Sequence, residues 1–196
     1  KTLMRWAAGL LGKAGKKITQ RDMELLLTKT GTDMGNLRME LEKLISYTEG
    51  RDIVTAEDIE EICTTQTTNR IFDMVRAVTE KNQKRALDLY YDLLTLKEPP
   101  MRILFLLAKQ YRQLLQAKQF AAAGLAQTEI ASKLGVPSFV VRNISTCARA
   151  YTISELEQAV EDFVDAEESV KTGRLEDKLS VELLIIKYSS KVSTAN

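Results

Sequence analysis

The sequence contains no histidine among its 196 residues. Catalytic systems that pair a serine or a cysteine with histidine are therefore excluded, and so are most zinc sites. Cysteine is scarce as well: Cys63 and Cys147 stand far apart and form no CxxC motif. That spacing is typical of two buried free thiols in a cytosolic protein, because secreted domains of this size usually carry a disulfide framework. We predict no metal and no cofactor.

A charge of one sign and long hydrophobic runs are also lacking. The formal net charge of +1 gives no overall attraction to nucleic acid or anionic lipid. No run of about 18 apolar residues occurs, so no membrane-spanning helix is predicted. Gly12 and Gly15 lie near Lys16, but the GxxxxGK[ST] spacing of a phosphate-binding loop is absent, which favours a connection between helices. The chain begins with Lys1, and we expect a processed product or a piece of something longer.

Helical periodicity is present in most of the chain, and it is strongest in residues 101–120. Apolar side chains recur there at spacings of three and four and cover more than one narrow stripe. They are Ile103, Leu104, Leu106, Leu107, Tyr111, Leu114 and Leu115. A helix that is apolar over so much of its circumference must be surrounded, so we place it at the centre of a helical domain.

Capping residues divide the remaining sequence into shorter helices. Thr152 and Glu155 have the spacing of a capping box, in which the two residues satisfy each other's backbone N–H groups. Thr19 and Thr55 are predicted to begin helices in the same way. No strand is predicted, and Ile53 and Val54 are interpreted as a short extended link. The sequence therefore predicts an all-α fold.

One polar stretch, residues 64–68, separates two groups of predicted helices. It contains no large apolar residue and four threonines, which are poor helix formers. We place a domain boundary there, with a small helical domain at residues 1–65 and a helical bundle at residues 66–196.

The long helix after Thr152 has an acidic exposed side, with seven carboxylates from Glu155 to Glu168. Carboxylates spread along a helix are not gathered as in a cation-binding loop, so a solvated or partner-facing surface is favoured. Arg102, Lys109 and Arg112 share the polar face of the central helix, where cations are most often simply solvated. Beside an acidic helix they could also set the pairing of like subunits edge to edge. These three residues are our candidate subunit-interface residues.

Residues 128–144 have the spacing of a helix-turn-helix core, with Ala131, Gly135 and Val141 at its fixed positions. A DNA-binding regulator is therefore an alternative function. Its groove-facing positions would be Pro137, Ser138, Phe139, Arg142 and Asn143, with one cation among them, whereas specific duplex binders contact about 6 to 10 phosphates. Packing of two helices at a tight turn explains the same pattern.

Two groups of segments, taken together, resemble a known family. The first group resembles the helical lid that follows an AAA+ ATPase core: Gly35-Asn36-Leu37, Glu40-Leu41-Glu42-Lys43-Leu44, Tyr47 and residues 53–59. The second is similar to the delta subunits of the bacterial DNA polymerase III clamp loader: Ile71-Phe72-Asp73, Glu98-Pro99-Pro100, residues 110–115, residues 129–140 and Val170-Lys171-Thr172-Gly173. No single segment is specific, but their order and spacing over essentially the whole chain are.

The resemblance implies that residues 1–65 are the lid and residues 66–196 the C-terminal collar of such a subunit. It implies a non-catalytic part of the DNA polymerase III holoenzyme, with no catalytic, cofactor or metal-binding residue of its own. The expected partners are ATPase-bearing and delta-prime-like loader subunits, which together load the sliding clamp during DNA replication. The clamp would be bound only by an N-terminal AAA+-like domain outside this sequence, and DNA only by the whole complex. A cytoplasmic protein without membrane contact is expected.

Overall fold

The computed structural model describes residues 2–190 and shows the predicted all-α fold. Eleven helices and two very short strands follow one another in these residues. They are α1 (Thr2–Lys13), β1 (Lys17–Ile18), α2 (Gln20–Thr30), α3 (Met34–Tyr47), β2 (Ile53–Val54), α4 (Ala56–Ile62), α5 (Thr67–Thr79), α6 (Gln83–Thr95), α7 (Pro100–Ala122), α8 (Gln127–Leu134), α9 (Ser138–Ala148), α10 (Ile153–Lys171) and α11 (Asp177–Ser189). The chain divides into two compact units, one up to Asn69 and one from Arg70 onward.

The N-terminal unit corrects the expectation that the chain contains no strand. Lys17 pairs with Ile53 and Ile18 with Val54 in a two-stranded parallel ladder. The two segments are far apart in the sequence, and neither is long enough to show the alternation that predicts a strand. The two segments are therefore brought together only by the packing of helices α1 to α4.

Lys16 is used within the fold of the N-terminal unit. Its ammonium group donates hydrogen bonds to the carbonyl oxygens of Thr48 and Arg51, at 2.6 and 2.5 Å. Both acceptors lie in the segment that leaves α3, where helical carbonyls lose their intrahelical partners. The lysine thus stabilises a helix end. This agrees with the conclusion from the sequence that Lys16 does not belong to a phosphate-binding loop.

Two buried carboxylates fix α4 in the same unit. Asp58 completes the predicted capping box with Thr55, and its Oδ1 accepts a hydrogen bond from Arg51 at 2.8 Å. Burial alone raises the pKa of Asp58, but the bonds from Arg51 and Thr55 outweigh burial and leave that pKa below its usual value. At the other end of α4, buried Glu40 accepts a hydrogen bond from the backbone N–H of Thr64 at 3.2 Å.

The C-terminal unit is built around α7, as the periodicity predicted. Ile103, Leu104, Leu107, Tyr111 and Leu114 are almost fully buried. Helices α8, α9, α10 and α11 all pack against α7. The two prolines also behave as expected. Pro99 is the N-cap and Pro100 the first residue of α7, where an N–H has no intrahelical partner and its absence costs no hydrogen bond.

The threonine-rich stretch 64–68 is partly helical. Helix α5 begins at Thr67, so its last two threonines already belong to a helix. The N–H of Gln66 also donates to the carbonyl of Lys29, at 3.1 Å, which ties this stretch to α2. Tertiary contacts therefore override the weak helix propensity of threonine here.

Ala126 offers a simple test of local stability. It occupies the N-cap of α8 without a side-chain hydrogen bond, although Glu129 accepts one from its backbone N–H at 2.8 Å. We expect Ala126→Ser to complete the capping box and raise the free energy of unfolding by about 1 kcal/mol. Urea unfolding measures the gain. Gln127→Ser is the matched control, since a hydroxyl one position later misses the cap; an equal gain there would contradict the explanation.

Candidate assembly surfaces of the C-terminal unit

The three candidate interface cations lie on the exposed side of α7. Arg102, Lys109 and Arg112 all face solvent. Arg102 forms an ion pair with Glu98 at 3.2 Å, one turn earlier along the chain. Within residues 2–190 no hydrogen bond or ion pair engages the side chain of Lys109 or Arg112. Two of the three cations are therefore available to a partner.

Phe105 lies on the same side of α7 and was not singled out from the sequence. Its side chain is 55% exposed, although it is one of the largest apolar residues of the unit. It stands three residues after Arg102 and four before Lys109, which places the three side chains on one helical face. We call Arg102, Phe105, Lys109 and Arg112 the α7 stripe. An exposed aromatic residue among cations has the composition of a protein–protein contact with a charged rim.

Most of the seven carboxylates of α10 are exposed as predicted, but Asp162 is largely buried against α11. Its outward residues include Glu157, Glu161, Asp165 and Glu168. They surround Val164, which is 57% exposed. We call these five residues the α10 face. Like the α7 stripe it has one apolar residue among charged ones, but its charges are negative.

Four aromatic rings hold α7, α10 and α11 together beneath these surfaces. The ring centroid of Tyr111 lies 5.9 Å from that of Tyr151, 5.0 Å from that of Phe163 and 5.6 Å from that of Tyr188. These are the separations at which tilted rings attract. The hydroxyls of Tyr111 and Tyr151 share a hydrogen bond of 3.2 Å. Burial raises the pKa of Tyr111 well above its usual value, so this hydroxyl stays protonated.

Asp162 joins α10 to α11 beside the rings. Its carboxylate accepts hydrogen bonds from the Tyr188 hydroxyl and from Gln158, and it pairs with the Lys187 ammonium at 2.5 Å. Burial alone raises the pKa of Asp162. The three donors outweigh burial, so its pKa lies below the ordinary value. A charged network therefore sets the position of α11.

Helix α11 exposes a second surface that the sequence reasoning missed. Its outer side carries Leu179, Leu183 and Ile186, which are 41%, 48% and 37% exposed. Its inner side carries Val181, Leu184 and Ile185, all buried. A helix that is apolar all round is normally enclosed on every side. The signal was present in the sequence as two interleaved apolar series, each at helical spacing.

The helix-turn-helix segment has the expected local geometry, and one of its candidate groove-facing residues is buried. Gly135 adopts a left-handed conformation (φ 66°) between α8 and α9, as a tight turn requires. Phe139, one of the candidate groove-facing residues, is only 8% exposed, and Val141 and Ile144 of the same helix are fully buried. The turn therefore serves to pack two helices against the central one.

Other kinds of site find little support in the described part of the chain. Both cysteines are buried and form no disulfide, as predicted, and burial raises the pKa of Cys63 to about 12. Residues 2–190 contain no group of three carboxylates or thiols placed to hold a metal ion. None of the helices in the same residues is long and apolar enough to cross a membrane.

Comparisons with known proteins agree on one family. The family model of the DNA polymerase III delta subunit, C-terminal domain, matches residues 68–188. The chain is 28% identical over 171 residues to DNA polymerase III subunit delta of Bacillus subtilis, covering 87% of this chain and 49% of that protein. It is 24% identical over 123 residues to the probable delta subunit of Aquifex aeolicus, covering 62% and 35% of the two chains.

A solved structure shows the same fold. The Bacillus subtilis DNA clamp loader delta protein (YqeN) superposes with a TM-score of 0.84 at 26% identity, covering 97% of this chain and 56% of that one. The chain thus spans about half the length of the relatives it matches.

Proposed function

Because the chain belongs to the DNA polymerase III delta subunit family through its C-terminal domain, we propose that it is the lid and collar of a clamp-loader delta subunit. Residues 1–65 would form the lid and residues 66–196 the collar. The collar would assemble with ATPase-bearing and delta-prime-like subunits in the cytoplasm. The family match over residues 68–188 supports the assignment of the collar, and the likeness to the delta protein over 97% of the chain supports that of the lid.

The proposed role is mechanical. We infer that the reactions of the holoenzyme take place in other subunits and that this chain contributes contacts. Binding of the sliding clamp would belong to the part of the relatives that this chain does not match, and DNA would be bound by the complete loader. The lid would then transmit the position of the neighbouring ATPase-like domain to the collar.

The α7 stripe is the observation that carries the proposed assembly. Lys109 and Arg112 are exposed cations without a partner among residues 2–190, and they follow the exposed ring of Phe105 along the same face of α7. A neighbouring helix with carboxylates around an apolar residue would complement them, and α10 of this chain shows that layout, which a like module would share. Contacts between two different surfaces of like modules are heterologous, and such contacts generate rings when the rotation closes. Complementary charge of this kind steers association and fixes register.

Charge reversal tests the α7 stripe. We expect the double variant Lys109→Glu, Arg112→Glu to bind purified ATPase-bearing loader subunits about tenfold more weakly, since two attractions become repulsions. Wild-type binding should also weaken as salt rises, because exposed charges are screened over about 8 to 10 Å. Surface plasmon resonance at two salt concentrations measures both effects.

The matched control is Lys84→Glu, Arg85→Glu, which reverses two exposed cations on α6. It should bind like the wild type. If reversal of the α7 pair leaves assembly unchanged, the stripe is not an interface. Steeply salt-dependent binding of duplex DNA by the chain alone would instead favour a DNA-binding regulator that uses residues 128–144.

A further inference from the structure

The net charge of the chain is small because two unlike parts of the sequence cancel each other. Residues 1–21 contain six lysines and arginines and no carboxylate, whereas the remaining residues contain 22 cations and 27 carboxylates. Exposed charges act over only about 8 to 10 Å at physiological salt, so a local excess attracts a polyanion even when the net charge is near zero. The N-terminal unit carries such an excess.

Helix α1 presents part of this excess on one side. Among residues 3–13 the exposed ones recur at spacings of three and four, so they lie along one side of the helix. They are Arg5, Ala8, Gly9, Gly12 and Lys13. Arg5 and Lys13 stand about 12 Å apart along the helix axis. Within the described part of the chain, no hydrogen bond or ion pair engages the side chain of either cation.

Lys17 adds a third exposed cation close to the end of α1. Four residues of chain separate it from Lys13, so the two Cα atoms are at most about 14 Å apart. Asp52 lies beside Lys17, since its carbonyl accepts the Lys17 N–H at 2.7 Å, but among residues 2–190 no ion pair joins the two side chains. The surface that we call the α1 face consists of Arg5, Gly9, Gly12, Lys13 and Lys17.

The two glycines leave the middle of the α1 face without side chains. Neither Gly9 nor Gly12 has a positive φ, and a Cβ added at either position would meet no neighbouring atom within 4 Å. Neither the backbone conformation nor the packing of the described residues therefore requires glycine, although glycine in a helix interior weakens the helix. Glycine is also the residue that lets a ligand approach the backbone closely. Close approach from outside explains both positions.

The composition of the α1 face distinguishes between kinds of occupant. A protein contact is centred on aromatic or large apolar side chains, and none belongs to this face. A helix that lies on anionic lipid exposes its apolar side, whereas Ala7 and Leu11 of α1 are buried. Single-stranded nucleic acid is held by exposed aromatic rings, which the face also lacks. A DNA duplex carries one phosphate per ~1.7 Å of its axis, hence about seven over the length between Arg5 and Lys13.

We propose that the α1 face binds the phosphate backbone of duplex DNA. Its three cations neutralise phosphates, and its glycines allow the helix to lie against the duplex without reading the bases. Three such contacts give weak binding, with a Kd of about 10⁻⁴ M at physiological salt. The contact lies in the N-terminal unit and needs no loader subunit, so this inference goes beyond the proposed function and does not depend on it.

Fluorescence anisotropy of a labelled duplex of mixed sequence, titrated with the whole chain, tests the site. Between about 50 and 150 mM salt we expect the affinity to fall about 20-fold, because three phosphate contacts give a slope of log K against log salt of about −2.7. The double variant Lys13→Gln, Lys17→Gln should bind at least tenfold more weakly at the lower salt and reduce the slope to about −0.9. The matched control is Lys84→Gln, Arg85→Gln, which removes two exposed cations of α6 and should bind like the wild type.

Gly9→Leu tests the close approach. Leucine is a better helix former than glycine and has room at this position, so the melting temperature should not fall. The duplex should nevertheless bind at least fivefold more weakly, because the new side chain holds it away from the helix. Binding equal to that of the wild type would overturn the proposal, since the face would not be approached closely.

The remaining outcomes are equally decisive. Absence of binding by the wild type at the lower salt, or undiminished binding by Lys13→Gln, Lys17→Gln, overturns the proposal. A slope of about −5 or steeper that Arg142→Gln reduces would place the DNA on residues 128–144, and the α1 face would not be the site. Tighter binding of a poly-glutamate peptide than of the duplex would identify an acidic protein as the occupant and contradict the proposal. These assays contain no loader subunit, so a negative result leaves the proposed function standing.

Discussion

Tyr111→Ala is expected to lower the free energy of unfolding of the C-terminal unit by about 3 to 5 kcal/mol. The side chain is 1% exposed, and its removal leaves a cavity among three other aromatic rings. Large-to-small substitutions of buried aromatic residues typically cost that much. The lost ring contacts add to the cost, because each is worth about 0.5 to 1.5 kcal/mol beyond the area buried. Urea unfolding followed by far-UV circular dichroism gives the difference.

Tyr111→Phe separates the ring from the hydroxyl. This variant keeps the packing but deprives the buried Tyr151 hydroxyl of its 3.2 Å partner. We expect a loss of about 1 kcal/mol, the usual cost of a single neutral hydrogen bond. If the alanine variant loses no more than the phenylalanine variant, the ring cluster does not hold α7, α10 and α11 together.

Asp162→Asn is expected to lower the stability at pH 7 by about 1 to 3 kcal/mol. Asparagine keeps the shape of the side chain but replaces a charged acceptor of three donors with a neutral one. Hydrogen bonds to charged groups are worth about 1.5 to 3 kcal/mol, and the exposure of Lys187 reduces its share. Asp165→Asn, an exposed position one turn further along α10, should change the stability by less than about 0.5 kcal/mol.

The difference between wild type and Asp162→Asn should depend on pH in a defined direction. The pKa of Asp162 is lowered in the folded state, so the folded protein holds this proton less tightly than the unfolded chain, whose Asp pKa is about 3.9. The stabilisation is therefore complete above about pH 5 and is lost as the pH falls through the folded pKa. Unfolding measured at pH 7, 5, 4 and 3 should show the two curves converging. A constant difference would mean that the charge of Asp162 contributes nothing.

Asp162→Asn should also affect helix α11. Tyr188 and Lys187, which Asp162 binds, are the last residues of α11 before Ser189. Leu183 and Ile186 precede them on the same helix. A weakened Asp162 network should thus also loosen the packing of Leu183 and Ile186 on α11.

Much of this fold could be predicted from local sequence. Threonine caps fixed the starts of α2, α4 and α10, because a cap needs only residues within one turn of each other. The burial of Tyr111 and Leu114 followed from apolar spacing alone, since a helix with so wide an apolar surface must be enclosed. The all-α class and the family resemblance rest on the same local signals.

Only the tertiary structure decided features that depend on residues far apart. The pairing of Lys17 with Ile53 joins segments that no local pattern connects. Both sides of α11 look alike in the sequence, so packing against α6, α7 and α10 determined that Val181 is buried and Leu183 is not. The same holds for Phe105, whose exposure reflects the arrangement of α7's neighbours. A sequence specifies which faces are apolar, whereas the number of neighbouring helices determines which of those faces remain exposed for a partner.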